Sequence, residues 1–214
     1  MLKVYNSNNM KYKAMLVLGS TGAGKTPFGD QMETQELWYN TYHHFDFGQQ
    51  LRDAVKDDAT LLTPEEKATV KGLLESNQLL EDKDFPIAEK LLKAFIEKRQ
   101  VQPEDVIILN GLPRHVGQAN ALSNLVNIKF VLFLNCPPEV AYERIKYNSG
   151  GDRTDRKDDS LEEVKRKVNI FYDQTFPLIE YYRSRDINIV EVAVDIDTLP
   201  LFIIQDLGTL DAMV

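Results

Sequence analysis

Eight residues, Gly19-Ser-Thr-Gly-Ala-Gly-Lys-Thr26, constrain this chain more than any other feature. They follow directly on the apolar run 15–18 and lead into a segment of helical spacing. The pattern GxxxxGK[ST] in that setting requires a strand, a tight loop and a helix in immediate succession. Gly19, Gly22 and Gly24 allow the backbone to take positive φ and turn its N–H groups inward as an anion nest. The helix N-terminus adds the positive end of its dipole. Lys25 supplies a compact charge suited to β- and γ-phosphates, and the Thr26 hydroxyl is a hard oxygen ligand suited to Mg²⁺. The whole loop (Gly19, Ser20, Thr21, Gly22, Ala23, Gly24, Lys25 and Thr26) is therefore expected to hold a nucleoside triphosphate. Pro27 falls in the first helical turn, where its missing N–H costs little.

The rest of the chain fits that start. Its 214 residues are enough for one large domain with its own core. Apolar runs at 14–18, 106–109, 129–134 and 187–194 predict strands, with a weaker fifth at 42–45. The first three are nearly continuous rather than alternating, as strands buried on both faces of a parallel sheet are. Between them the spacing becomes helical: Phe85, Ala88, Leu92 and Phe95; Leu161, Val164, Val168 and Phe171; Leu199, Phe202, Ile203 and Leu207. Alternating strands and helices predict an α/β fold with right-handed crossovers. Two stretches interrupt the alternation. Residues 57–99 are mostly helical and too long for one crossover, with Thr63-Pro-Glu-Glu66 as a helix start. Residues 147–159 are polar, with Gly150-Gly151 at their centre, and read as a loop beyond the strand ends.

Charge and cysteine content exclude several classes. A net charge of −8 argues against nucleic acid or an anionic membrane as partner. It leaves room for a small anion bound by a local cluster of Arg and Lys. The single cysteine, Cys136, excludes an intrachain disulfide and a multi-cysteine zinc site. No apolar stretch reaches the ~20 residues of a membrane span, and no signal peptide is read at the N-terminus, so a cytoplasmic protein is expected.

The segment after the strand ending at Leu109 narrows the reading. Gly111, Leu112, Pro113, Arg114, Gln118 and Ala119 resemble the GFPR…QA signature of adenylate kinases and related nucleoside monophosphate kinases. The likeness then extends over nearly the whole chain. Residues 133–144 resemble the family's strand, Pro-Glu turn and arginine-bearing helix. Arg156-Lys-Asp-Asp159 resembles its R-x-D-D motif, Phe171-Tyr-Asp-Gln-Thr-Phe-Pro177 its Y-x-x-x-T-x-P segment, and Phe45-Asp-Phe-Gly-Gln-Gln-Leu-Arg52 the segment leading into its monophosphate-binding helices.

That resemblance implies a P-loop NTPase fold: a five-stranded parallel sheet flanked by helices, in one domain. Its core would be 11–50, 100–146 and 158–214, with a helical monophosphate-binding insertion at about 51–99 and a short, zinc-free lid at about 147–157. It implies ATP on the phosphate loop, a nucleoside monophosphate opposite, and in-line transfer of the γ-phosphoryl group, in a monomer. Arg52 and Arg114 would grip the acceptor's phosphate, beside Gly111. Lys25, Arg144, Arg156 and Lys167 would neutralise the ATP side and the transferring group, with Mg²⁺ held through Thr26, the phosphates and water. Gln118 would read an adenine edge and so favour AMP. Phe47 stands where a Thr would face the adenine, and would either stack on the base or fill its pocket.

Several positions depart from the family pattern. The acidic residue expected before Gly111 is Asn110, a second arginine after Arg144 is Asn148, and the arginine expected at 167 is Lys167, beside Arg166. Arg153 is a candidate replacement for the charge missing at 148. Alternatives to an AMP kinase are therefore a catalytically weak nucleotide-binding relative with a regulatory or structural role, or a kinase of a different small acceptor. His43 and His44 lack a third ligand and are expected to be structural. Asp152, Asp155, Asp158 and Asp159 lack calcium-loop spacing. Cys136 and the aromatics Trp38, Tyr39 and Tyr42 are expected to be packing residues.

Overall fold

In the computed structural model of the protein, residues 11–35, 37–56, 61–151 and 160–209 are described. Among them five strands form one sheet: β1 (Tyr12–Gly19), β2 (Tyr42–Asp46), β3 (Val106–Asn110), β4 (Val126–Asn135) and β5 (Asn188–Ala193). Their order is β2-β3-β1-β4-β5, and every pairing is parallel. The weak fifth candidate at 42–45 is thus a full edge strand. β4 starts three residues earlier than the apolar run predicts, because Val126 and Ile128 also turn inward beside β1.

Continuous apolar strands give two cores, one on each face. Ala14, Leu16, Leu18, Ile107, Leu109, Val131 and Phe133 point to one side, and Met15, Val17, Ile108, Phe130, Leu132 and Leu134 to the other. The helices α1 (Lys25–Met32), α2 (Phe47–Lys56), α3 (Pro64–Ser76), α4 (Phe85–Arg99), α5 (Val116–Leu122), α6 (Pro138–Lys146), α7 (Leu161–Ile170), α8 (Leu178–Arg183) and α9 (Pro200–Gly208) cover both faces. The first core packs against Leu51 of α2, Leu91 and Leu92 of α4, Leu122 of α5 and Leu178 of α8. The second packs against Phe28 and Met32 of α1 and Ile203, Ile204 and Leu207 of α9.

The predicted helical stripes hold for α4, where Phe85, Ala88, Leu92 and Phe95 are all buried. In α7, Val164 and Val168 are buried but Leu161 is exposed, and Phe171 opens a wider π-type turn, Phe171–Thr175, that leads towards α8. In α9 the phase is rotated. Leu199 and Phe202 face outward, and Ile204 takes the inward place beside Ile203 and Leu207. An almost wholly apolar helix gives no contrast from which its inner face can be read.

The parallel arrangement brings the C-terminal ends of β1, β2, β3 and β4 to one edge of the sheet. There the loop 19–24, the start of α2, the turn before α5 and the start of α6 meet.

Candidate active site

The loop after β1 has the backbone its glycines require. Gly22 has φ 82° and Gly24 φ 90°, and a side chain at either position would collide. A Cβ at 22 would lie 2.6 Å from the Ala141 carbonyl, and one at 24 would lie 3.1 Å from Nη2 of Arg144. Gly24 caps α1, whose first residue is Lys25. The Lys25 ammonium folds back over the loop and donates to the carbonyls of Gly19 and Ser20, both at 2.8 Å. The ammonium is thus held by the loop's own carbonyl oxygens.

Thr26 sits one step further, and its surroundings were not foreseen. Its hydroxyl donates to Oδ2 of Asp46 at 2.6 Å and accepts from Nδ2 of Asn110 at 3.1 Å. The same Asn110 nitrogen lies 3.1 Å from Oδ2 of Asp46 and 3.3 Å from Nε2 of His44. His44 in turn meets Asp30 through Nδ1 at 2.8 Å. Its ring lies directly against Gly29 of α1, where an added Cβ would come within 2.3 Å of it. Burial pushes the Asp46 carboxyl up, but the hydrogen bonds from Thr26 and the Gln49 N–H, with the Arg52 guanidinium nearby, outweigh it and hold it below the ordinary value. Asp46 ends β2 next to Asn110 at the end of β3, and the sequence offered one signal for it: an acid missing at 110 invites a search of the neighbouring strand end.

Arg52 and Arg114, expected from the sequence to hold the acceptor's phosphate, line the same cleft as the loop. Arg52, on α2, is braced by Oε1 of Gln49 at 2.7 and 3.2 Å. Arg114 follows Gly111 and lines the same cleft, with Nε 3.4 Å from Oγ1 of Thr175. Among the described residues no carboxylate pairs with Arg114, and desolvation pushes its pKa down. Gln118 is fully buried. Its Oε1 accepts from the Arg114 N–H at 2.7 Å, and its Nε2 donates to the Leu80 carbonyl at 2.8 Å. Of the two roles the sequence offered Phe47, stacking on a base is not available to it, because the ring is turned into the core. Its ring is 4% exposed, stacks on Phe45 with centroids 6.1 Å apart, and belongs to the core rather than to the cleft lining. Leu73, Leu74, Asn77 and Gln78, from α3 and the residues after it, also line the cleft.

On the other flank, Arg144 is buried beneath the loop. Its Nε donates to the Gly22 carbonyl at 3.1 Å, and its Nη1 faces the carbonyls of Asp195, Ile196 and Thr198 at 2.7–3.0 Å. Lys167 lines the cleft, whereas its neighbour Arg166 turns away to the Ser76 carbonyl and Glu163. Arg153 and Arg156 fall outside the described residues, as do the aspartates at 152, 155, 158 and 159.

Of the remaining candidates Tyr39 is fully exposed, against the packing role expected of it, and the others are structural. His43 pairs with Asp105 at 2.9 Å beneath the surface. Trp38 packs edge-on against Phe130 instead of offering a stacking platform. Burial pushes the Cys136 thiol up to about 11, so it is inert at neutral pH. Among the described residues no group of three or more His, Cys, Asp or Glu could hold a metal, and no helix is long and apolar enough to cross a membrane.

A phosphate loop on the central strand, with separate sets of cations on its two flanks, defines a P-loop phosphotransferase. The sequence model of the adenylate kinase family matches residues 17–187, and the chain belongs to that family of nucleoside monophosphate kinases. It is 30% identical over 184 residues to an adenylate kinase of Prochlorococcus marinus (strain MIT 9301), covering 84% of this chain and 88% of that protein. It is 29% identical over 177 residues to a probable UMP-CMP kinase 1 of Arabidopsis thaliana, covering 82% and 78% respectively. To a uridylate kinase of Saccharomyces cerevisiae it is 27% identical over 182 residues, covering 85% and 82%.

Proposed function

We propose that the protein transfers the γ-phosphoryl group of ATP to AMP. The observation that carries the reading is the division of cations in one cleft: Lys25, Arg144 and Lys167 on the ATP side, and Arg52 and Arg114 on the acceptor side. Two phosphate chains repel one another unless fixed positive groups neutralise both, and phosphoryl transfer needs little else from the protein. Lys25 leaves the Gly19 and Ser20 carbonyls for the β- and γ-phosphates, and the nest of N–H groups receives the remaining oxygens. Arg114 and Arg52 orient the acceptor phosphate, Arg114 through a planar fork that suits two oxygens at once. Segment 51–99 is then the acceptor-binding insertion and 147–157 the lid, with Arg156 delivered by it. The protein is read as a cytoplasmic monomer.

Mg²⁺ fits the residues present. Mg²⁺ keeps most of its waters and needs only one or two protein oxygens. The Thr26 hydroxyl donates its hydrogen bond to Asp46 and accepts one from Asn110, which leaves one oxygen lone pair for the ion. Bound there with ATP, Mg²⁺ would neutralise charge on the β- and γ-phosphates.

For adenine the reading rests on the family resemblance at Gln118, whose side chain is here fully buried behind the cleft lining. Arg114 and Leu80 fix which end of the amide is oxygen and which nitrogen, and one lone pair and one hydrogen remain uncommitted. If acceptor binding uncovers the amide, a base edge with one donor beside one acceptor would complement them, as N6–H and N1 of adenine do. Cytosine offers the same pair, and a UMP-CMP kinase is among the relatives, so CMP is the second acceptor to assay. A coupled ADP-release assay across AMP, CMP, UMP, GMP and their deoxy forms, with enzyme titrated high enough to register slow turnover, tests the reading. The highest kcat/KM is expected with AMP. A pyrimidine in first place reassigns the base, and no transfer to any of them favours the catalytically weak relative.

A further inference from the structure

Asn110 is the position at which the resemblance expects an acid, and an amide there leaves the phosphate loop's threonine without the negative charge that would face a nucleotide-bound cation. The structure supplies that charge from the next strand. β2 and β3 pair in parallel with Asp46 directly beside Asn110, so the two side chains leave the same edge of the sheet at the same level. Both reach the Thr26 hydroxyl: Asp46 accepts its proton at 2.6 Å, and Asn110 donates to its oxygen at 3.1 Å. The amide nitrogen is also 3.1 Å from the Asp46 carboxylate. Two carboxylates at that separation would not both stay ionised. The pair therefore accommodates one negative charge, and in this chain it stands on β2.

We propose that Asp46 is the carboxylate that positions the Mg²⁺ of MgATP, with Asn110 as the neutral partner that orients it and Thr26. The proposal rests on the reading of this cleft as a MgATP site. Asp46 acts through Thr26 and the ion's water shell, which makes it a positioning residue rather than a catalytic one. Each contact has a defined part. The Thr26 proton is committed to Asp46, the Asn110 amide blocks rotation of the carboxylate, and Gln49 N–H holds the other oxygen, Oδ1, at 2.9 Å. Asp46 also lines the cleft beside Thr26 and Gly48, so its carboxylate is within reach of ligand and solvent.

The test compares wild type, Asp46→Asn and the exchange Asp46→Asn/Asn110→Asp. Mn²⁺ stands in for Mg²⁺, and its binding to the protein–ATP complex is followed by electron paramagnetic resonance. Metal-free ATP affinity is measured in parallel by calorimetry in chelator. Asp46→Asn should weaken Mn²⁺ binding by about tenfold or more, as the loss of outer-shell partners does elsewhere. It should leave metal-free ATP affinity equal or tighter, because a negative charge near the phosphates has gone. A merely structural Asp46 would weaken both. The exchange variant, with the acid moved to β3, should recover Mn²⁺ affinity to within about threefold of wild type, and it carries the test if the single variant fails to fold. Unchanged Mn²⁺ affinity in Asp46→Asn, or no recovery in a folded exchange variant, overturns the proposal. A wild-type protein that binds no ATP with or without metal overturns the underlying reading of the cleft.

Discussion

Burying a guanidinium without a carboxylate beside it disfavours its charged form, and Arg114 is held under that pressure by desolvation. A phosphate dianion relieves it, so the position is prepared for an anionic ligand before one arrives. Arg114→Lys is expected to reduce transfer about 10²–10³-fold, the loss typical of one preorganised donor, while ATP affinity stays near wild type. Steady-state kinetics together with ATP calorimetry check this; equal loss of ATP and acceptor binding would place Arg114 elsewhere in the mechanism. At this scale the sequence was legible where a residue's neighbours lie close along the chain, as in the loop 19–26. It was not legible where partners come from adjacent strands. Asp46 and Asn110 are 64 positions apart, and only the register of β2 on β3 joins them. The choice between the two roles open to Phe47 was not legible for a related reason. A position next to the cleft in sequence is buried once α2 begins there and turns the ring onto Phe45.

Among the elements, α3 carries its start signal in full. Thr63 accepts from the Glu66 N–H, and Glu66 reaches back to the Thr63 N–H at 2.9 Å. Thr63→Ala should cost about 1 kcal/mol, which for a chain of this size lowers Tm by roughly 2–4 °C. The pH dependence has a definite sign. The hydrogen bond from Lys90, followed by that from the Thr63 N–H, holds the Glu66 carboxyl below its ordinary value. The stability it contributes is complete above the unfolded-state value and is lost as pH falls through the lowered folded one. Glu66→Gln should therefore melt below wild type at pH 7, and the two curves should converge in acid; a constant gap across the range contradicts the ionised pairing. The start of this helix was readable because capping chemistry is local. The inner face of α9 was not, because a helix that opens with five successive apolar residues can present several faces and packing on Phe28 and Met32 selects one.

The molecule as a whole is asymmetric about β1. α2 and the turn before α5, which bear Arg52 and Arg114, follow β2 and β3 on one side, while α6, which bears Arg144, follows β4 on the other. A ligand that spans both sides should collect both sets of cations. Two adenosines joined by a chain of phosphates are expected to bind about 10²-fold tighter than ATP or better. They should also slow hydrogen exchange over 19–26 and 64–79 together. Calorimetry and exchange mass spectrometry read the two effects, and affinity no better than that of ATP would show that the acceptor side does not recognise AMP. The strand order also bears on how such a molecule diversifies. On the proposed reading the central strand divides the cations but not the ion site: Arg52 and Arg114 follow β2 and β3, yet Asp46 and Asn110, which reach Thr26 of the phosphate loop, end those same two strands. A lineage that exchanges one acceptor for another by substitutions on that side of the sheet would therefore have to hold Asp46 and Asn110 fixed to keep its phosphate donor site.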